Sequence, residues 1–148
     1  MSAKLCYYGS IVATVVLIAA MVGLYQLHAL FSDLPQVLVL QSVAVILMGW
    51  ARVSFGRRSF YFAADSQAEN LVTRGAYRFM RHPIYTAIAL FAGAGVTAHF
   101  SMLNAVLAGL VLLALLVRVV CEEFCLRKQF PEYEDYAKRT ARFIPFVL

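Results

Sequence analysis

Four apolar runs separated by polar stretches organise this chain. The first extends from about Gly9 to Phe31 and the second from about Gln36 to Phe55, with Asp33-Leu34-Pro35 as a tight turn between them. Each holds about 20 residues, which at about 1.5 Å per residue matches a hydrocarbon core of about 30 Å. The pair is therefore predicted to form an antiparallel transmembrane hairpin. A third run extends from Ile84 to Ala98 and a fourth from Met102 to Val120, joined by His99-Phe100-Ser101. The third is short and carries Gly93 and Gly95, which predicts a close-packed or tilted second hairpin. Gln41, Ser42 and Gly49 on the second run read as helix-contact residues rather than chemistry.

Between the hairpins the chain turns polar, basic and aromatic from Gly56 to His82, a stretch suited to the membrane interface and too polar to cross it. Beyond Val120 it becomes amphipathic and charged. The fourth helix is expected to continue through Glu122 and Glu123, and Pro131 either to end it or to start a short new helix at its N1 position. The predicted fold class is all-α integral membrane, with four transmembrane helices in two antiparallel hairpins. One domain is expected, divided into an N-terminal hairpin (1–55), an interfacial segment (56–83), a second hairpin (84–120) and a C-terminal segment (121–148).

Composition strengthens this reading. A chain of 148 residues that is 62% hydrophobic and 14% charged has more apolar surface than a soluble domain can bury. Its thirteen Lys and Arg residues cluster at Lys4, from Arg52 to Arg81, and from Arg118 to Arg142, so four crossings would place all of them on one side. The positive-inside pattern then puts both termini, and any chemistry, on the cytoplasmic face. The net charge of +5 is accounted for by anionic headgroups beside the apolar spans, and nucleic acid is not expected as a partner.

The first run is too long for a signal-peptide core and lacks a small-x-small cleavage site, so it is expected to stay in the mature protein. With no sorting signal, a prokaryotic inner membrane is the expected location. Cys6, Cys121 and Cys125 would face a reducing compartment and are expected to form no disulfide. No further Cys or His stands at metal-ligand spacing, so no metal site is expected. Nothing in the sequence sets an oligomeric state.

Two clusters place many ionisable groups at one membrane depth. One is Arg74-Gly75-Ala76-Tyr77-Arg78-Phe79-Met80-Arg81-His82-Pro83-Ile84-Tyr85, before and into the third run. The other is Glu122-Glu123, with Arg118 one turn earlier. An antiparallel hairpin would bring them together as a site of both charge signs. Charges at the bilayer centre cost about 2.5–3.5 kcal/mol on insertion scales, so these groups should lie near the interface and be paired. Salt bridges and headgroup contacts alone would account for them; a pocket for a zwitterionic ligand would account for them as well. Pro83 fixes a helix start and leaves His82 at its N-terminus. His28 and His99 fall near the outer face and read as structural.

The ordered set of Leu71 to Tyr85 with its Arg81-His82-Pro83-Ile84-Tyr85 core, then Glu122-Glu123-Phe124-Cys125-Leu126, then Phe130-Pro131-Glu132-Tyr133-Glu134-Asp135-Tyr136, resembles the isoprenylcysteine carboxyl methyltransferases and the related phospholipid N-methyltransferases. The resemblance covers about Leu71 to Pro145. It implies S-adenosylmethionine bound at the cytoplasmic end of the last two helices. It further implies a cofactor pocket lined by Arg81, His82, Pro83 and Tyr85, with polar groups held by Glu122 and Glu123. Tyr133, Tyr136 and Arg139 would close that pocket. Glu123, His82 and Arg139 are the implied catalytic residues, Arg139 as a partner for an acceptor carboxylate. Ala76 stands where the family often has Pro, and Ala87 where Gly often follows the tyrosine. The N-terminal half carries no matching motif, so the lipophilic acceptor is not named. A sterol-type reductase using NADPH and a non-enzymatic membrane scaffold are the competing readings.

Overall fold

The computed structural model describes residues 3–55 and 71–145. Most of the expected interfacial segment, residues 56–70, lies outside the described residues. Within them the chain is helical: α1 (Ala3–Gln26), α2 (Pro35–Phe55), a 3-10 turn (Gly75–Arg78), α3 (Pro83–Ala98), α4 (Met102–Gln129) and α5 (Tyr133–Arg139). Three of these helices, α1, α2 and α4, are long and apolar enough to cross a membrane, and α3 is a shorter apolar helix. Val12, Val15, Ile46, Val53, Leu112 and Leu113 are exposed, so the bundle presents an apolar surface on several sides, as lipid contact requires.

The α1 boundaries differ from the apolar run read in the sequence. The helix starts six residues before Gly9 and stops at Gln26, before Leu27-His28-Ala29-Leu30-Phe31. His28 takes a left-handed conformation with φ of 53° and turns the chain. Ala29 and Leu30 are apolar because they plug the core between α1, α3 and α4, not because they are helical. Buried Gln41 of α2 donates to the Leu30 carbonyl, satisfying a backbone group that helix geometry no longer serves.

Packing partners also differ from the two self-packed hairpins expected. α1 packs chiefly on α4, and α2 on α3. The buried face of α1 is Cys6, Ser10, Ala13, Ala20 and Leu24, a narrow stripe of mostly small residues at helical spacing that lets α4 approach closely. Three pairs show that these helices run antiparallel: Gly9 lies against Cys121, Thr14 bonds Arg118, and Gly23 lies against Leu107. The equivalent face of α2 is Val37, Gln41, Ala44, Ala51 and Ser54. At the far end of α3 the fit is tightest at Gly95, where a Cβ would lie 2.5 Å from both the Ala29 and Leu30 carbonyl oxygens.

Local chemistry sets the helix ends that matter here. Ser101 caps α4 by accepting from the Asn104 amide at 3.1 Å. Pro83 occupies the first turn of α3. At 28 residues α4 is the longest helix; it extends about 42 Å, some 12 Å more than a hydrocarbon core. It runs unbroken through Glu122 and Glu123, as expected. Phe130 caps it, and Pro131 and Glu132 form the turn into α5, so Pro131 ends one helix and is not N1 of the next.

Candidate functional site

The end of the bundle where α3 begins and α4 finishes is assembled by backbone before any charge is considered. Gly75 adopts φ of +60°, and a Cβ there would fall 2.0 Å from the Ser54 hydroxyl. Only glycine permits both the turn and the approach. Ser54 accepts from the Ala76 amide at 3.2 Å and donates to the Trp50 carbonyl at 2.7 Å, fastening the 3-10 turn to α2. Ala51, Ala76 and Tyr77 form a small core beneath it. Ala76 is wholly buried.

From that anchor the chain passes into a short ribbon with the C-terminal segment. Met80 pairs with Ala141 in parallel register; the Arg81 amide donates to Ala141 at 2.8 Å and the His82 amide to Arg142 at 3.1 Å. This ribbon carries Arg142 across from His82.

Glu123 is the centre of the resulting cluster and is nearly buried. Its Oε1 accepts from Arg81 Nε at 3.1 Å and Arg142 Nε at 3.2 Å, and lies 3.3 Å from His82 Nε2; its Oε2 accepts from an Arg142 terminal nitrogen at 2.9 Å. Arg127 stands 3.9 Å away. The Arg81 guanidinium also donates to the carbonyls of Ala137 and Thr140, tying α5 to the same hub. Both carboxylate oxygens of Glu123 are thus engaged by the protein itself.

Glu122 differs in kind. Its side chain is 37% exposed; Oε2 accepts from the Tyr85 hydroxyl at 2.8 Å and lies 3.9 Å from His82 Nδ1. Among the described residues its other oxygen has no partner. Tyr85 stacks on the His82 ring at 5.5 Å and accepts from Arg118 Nε at 3.2 Å. Arg118 also donates to Thr14 of α1, which links the first helix to the cluster. Four arginines therefore surround two glutamates, and the accessible members, Glu122, Arg127 and Arg142, include both charge signs.

A second group, Phe130, Tyr133 and Tyr136, packs with Leu71 and Leu126 beside this cluster. Tyr136 donates to the Tyr77 carbonyl at 2.6 Å, and burial pushes its phenol up to about 12. Burial, and then the charge of Glu123, raise the Tyr133 phenol too. The Tyr133 hydroxyl is buried with no hydrogen-bond partner among the described residues.

Of the residues singled out in the sequence, Arg81, His82, Tyr85, Glu122 and Glu123 come together. Tyr133 and Tyr136 adjoin them, and Pro83 lies buried at the helix start. Arg139 is not brought into the cluster; it is exposed and bonds the Asp135 carbonyl of its own helix at 3.0 Å. Arg142 stands in the cluster instead, and Arg127 beside it. Neither was singled out, because their partners come from segments distant in sequence. The sequence signal was present for Arg127, four residues after Glu123 on one helix. For Arg142 there was none, since only the ribbon with Met80 delivers it. A hollow of about 530 Å³ lined by Phe31 to Leu34 and His99 lies at the opposite end of the bundle, far from these groups.

Residues 36–133 match the family model described as phospholipid methyltransferase. Among curated proteins, the chain is 32% identical over 91% of its length to the nickel-cobalt-cadmium resistance protein NccN of Alcaligenes xylosoxydans xylosoxydans, covering 62% of that protein. It is 34% identical over 74% of its length to a probable protein-S-isoprenylcysteine O-methyltransferase of Oryza sativa subsp. indica, covering 60% of it. It is also 33% identical over 57% of its length to the cobalt-zinc-cadmium resistance protein CzcN of Cupriavidus metallidurans, covering 39%. The chain thus spans less than two thirds of the length of these relatives. No solved structure matches it. The matched residues include α2, the 3-10 turn, the His82-Pro83 helix start and the whole of α4 with Glu122 and Glu123, and the chain belongs to the phospholipid methyltransferase family.

Proposed function

We propose that this chain is an integral membrane methyltransferase that uses S-adenosylmethionine and acts on a lipid-like or membrane-delivered acceptor, of the isoprenylcysteine carboxylate kind. The observation that carries this reading is the convergence of Arg81, His82, Tyr85, Glu122, Glu123 and Arg142 in one cluster of both charge signs at the end of an apolar bundle. Four crossings with this end cytoplasmic complete the proposal, because the Lys and Arg residues gather at this end and none lies in the loops at the other. The water-soluble donor then reaches the cluster from the cytoplasm, and the acceptor from the bilayer.

The residues present fit such a donor. A zwitterionic amino-acid group needs an accessible carboxylate and an accessible guanidinium, and Glu122 and Arg142 offer them; the buried Tyr133 hydroxyl still lacks a partner among the described residues. When bound, S-adenosylmethionine would supply an electrophilic methyl group on a sulfonium. The chain has to hold donor and acceptor in line and exclude water, which can contribute several kcal/mol to lowering the barrier.

Roles follow from engagement. Glu123, with both oxygens bonded, positions Arg81, His82 and Arg142. Glu122, one of whose oxygens has no partner among the described residues, receives an ammonium group. A carboxylate acceptor needs no general base, and Arg142 is placed to orient it in the role the resemblance gave to Arg139. An amine acceptor must lose a proton first, and Glu122 is then the base in reach.

Calorimetric titration of the detergent-purified protein with S-adenosylhomocysteine tests the proposal, with Glu122→Gln and NADPH alongside. Micromolar binding of S-adenosylhomocysteine that Glu122→Gln weakens at least tenfold supports methyl transfer. Binding of NADPH alone would replace it with the reductase reading, and binding of neither with a scaffold.

A further inference from the structure

Arg118 of α4 is the centre of a hydrogen-bond chain that joins α1 to Glu122. Its Nε donates to the Tyr85 hydroxyl at 3.2 Å, and a terminal nitrogen donates to the Thr14 hydroxyl of α1. A hydroxyl has a single proton to give. Tyr85 gives its proton to Glu122 Oε2 at 2.8 Å, and Thr14 gives its own to the Ser10 carbonyl at 2.8 Å. Each hydroxyl therefore meets Arg118 as an acceptor, and the chain runs in one direction, from the guanidinium outward. The Tyr85 ring is held as well: it stacks on His82 at 5.5 Å with 11° between the planes, and the Arg118 guanidinium carbon lies 5.6 Å from its centroid. At the other end, Ser10 is buried on the face of α1 that packs on α4. Glu122 is more than a third exposed; among the described residues its Oε2 is met by Tyr85 and, at 3.9 Å, by His82 Nδ1.

We propose that Arg118, acting through the Tyr85 hydroxyl, is a positioning residue for Glu122, and that Thr14 makes α1 part of the site by holding Arg118, a role that rests on Glu122 receiving the ammonium group of S-adenosylmethionine. A long, accessible glutamate side chain has several rotamers open to it, and ordering it on binding costs affinity. The chain removes that cost beforehand: Oε2 is taken by Tyr85, which leaves the other oxygen for the ligand. Arginine suits the task because its planar fork sends donors to acceptors on two other helices at once, Tyr85 on α3 and Thr14 on α1. The point charge of a lysine on its flexible stem does not reproduce that fork. Thr14 lies outside residues 36–133 that the family model matches, so its part in the site is not carried by the matched motifs.

Two measurements on the detergent-purified protein test this. The first needs no ligand: labelling of Glu122 by a water-soluble carbodiimide with glycinamide, mapped by mass spectrometry. Tyr85→Phe, Arg118→Lys and Thr14→Val are expected to speed it several-fold by releasing Oε2, and Thr14→Ser, which keeps the hydroxyl, to leave it as in the wild type. The second is calorimetric titration with S-adenosylhomocysteine, which carries the same amino-acid group as the donor. Tyr85→Phe and Arg118→Lys should weaken binding about tenfold in the wild-type background and under about twofold in Glu122→Gln, because a residue that acts through Glu122 loses its effect once that charge is gone. Equal weakening in both backgrounds, the mark of a purely structural role or of direct ligand contact, would overturn the proposal. So would unchanged labelling of Glu122 in Tyr85→Phe, which decides the matter even if Arg118→Lys does not fold. Faster labelling with no S-adenosylhomocysteine bound by the wild type would uphold the positioning chain and remove the donor reading instead.

Discussion

Replacing Glu123 by Gln removes the charge on which the cluster is centred while keeping its volume and one acceptor. The cost can be worked from its partners. The Arg81 pair is close, at 3.1 Å, with side chains 10% and 6% exposed. Removing one member of such a pair costs about 3–5 kcal/mol, and the lower figure applies because Arg81 keeps its bonds to Ala137 and Thr140. The Arg142 side chain is about half exposed and water takes over its charge, so it adds at most about 1 kcal/mol. Arg127 at 3.9 Å adds nothing measurable.

Glu123→Gln is therefore expected to destabilise the protein by about 3 kcal/mol. The double-mutant cycle with Arg81→Met should show a coupling of about 2 kcal/mol, and the cycle with Arg127→Met under about 0.5 kcal/mol. Equilibrium unfolding in mixed micelles, followed by far-ultraviolet circular dichroism, measures both. Additivity of Glu123→Gln and Arg81→Met within about 0.5 kcal/mol would refute the claim that Glu123 organises the site through Arg81.

Four further outcomes are expected. Gly75→Ala should be severely destabilising in a thermal scan, since it combines φ of +60° with a contact 2.0 Å from Ser54, while Gly93→Ala, with nothing within 4 Å of its Cβ, should be tolerated. Tyr136→Phe should cost about 1–2 kcal/mol in unfolding measurements because it strands the Tyr77 carbonyl. Tyr133→Phe, whose hydroxyl has no described partner, should leave stability unchanged yet weaken S-adenosylhomocysteine binding in calorimetry. For Tyr136, a folded-state value raised from 10.0 to about 12 means that the folded state holds the proton more tightly, so this stabilisation is complete below pH 10 and fades as pH rises toward 12. The thermal midpoint of wild type should fall over that window, and Tyr136→Phe should fall less.

Much of this architecture was legible because hydropathy and charge placement act locally. The starts of α2, α3 and α4, at Pro35, Pro83 and Met102, fall within one residue of the apolar runs, and the meeting of Arg81-His82-Pro83 with Glu122-Glu123 followed from an antiparallel arrangement. What was not legible depended on tertiary burial. Ala29 and Leu30 are as apolar as any helical residue, yet they are a plug. Hydropathy cannot say which helices pair, and small residues on α1 selected α4 over its neighbour in sequence. Arg139 and Arg142 look alike in the sequence; the ribbon formed by Met80 and Ala141 sends one to solvent and the other to Glu123.

The most direct test of the central claim is ultraviolet cross-linking of methyl-tritiated S-adenosylmethionine to the purified protein, followed by peptide mapping. The account predicts label confined to peptides from the Arg74–Tyr85, Arg118–Arg127 and Tyr133–Arg142 stretches, competed away by S-adenosylhomocysteine. No label, or label in the Leu27–Leu34 or His99–Ser101 connections at the opposite end of the bundle, would contradict it.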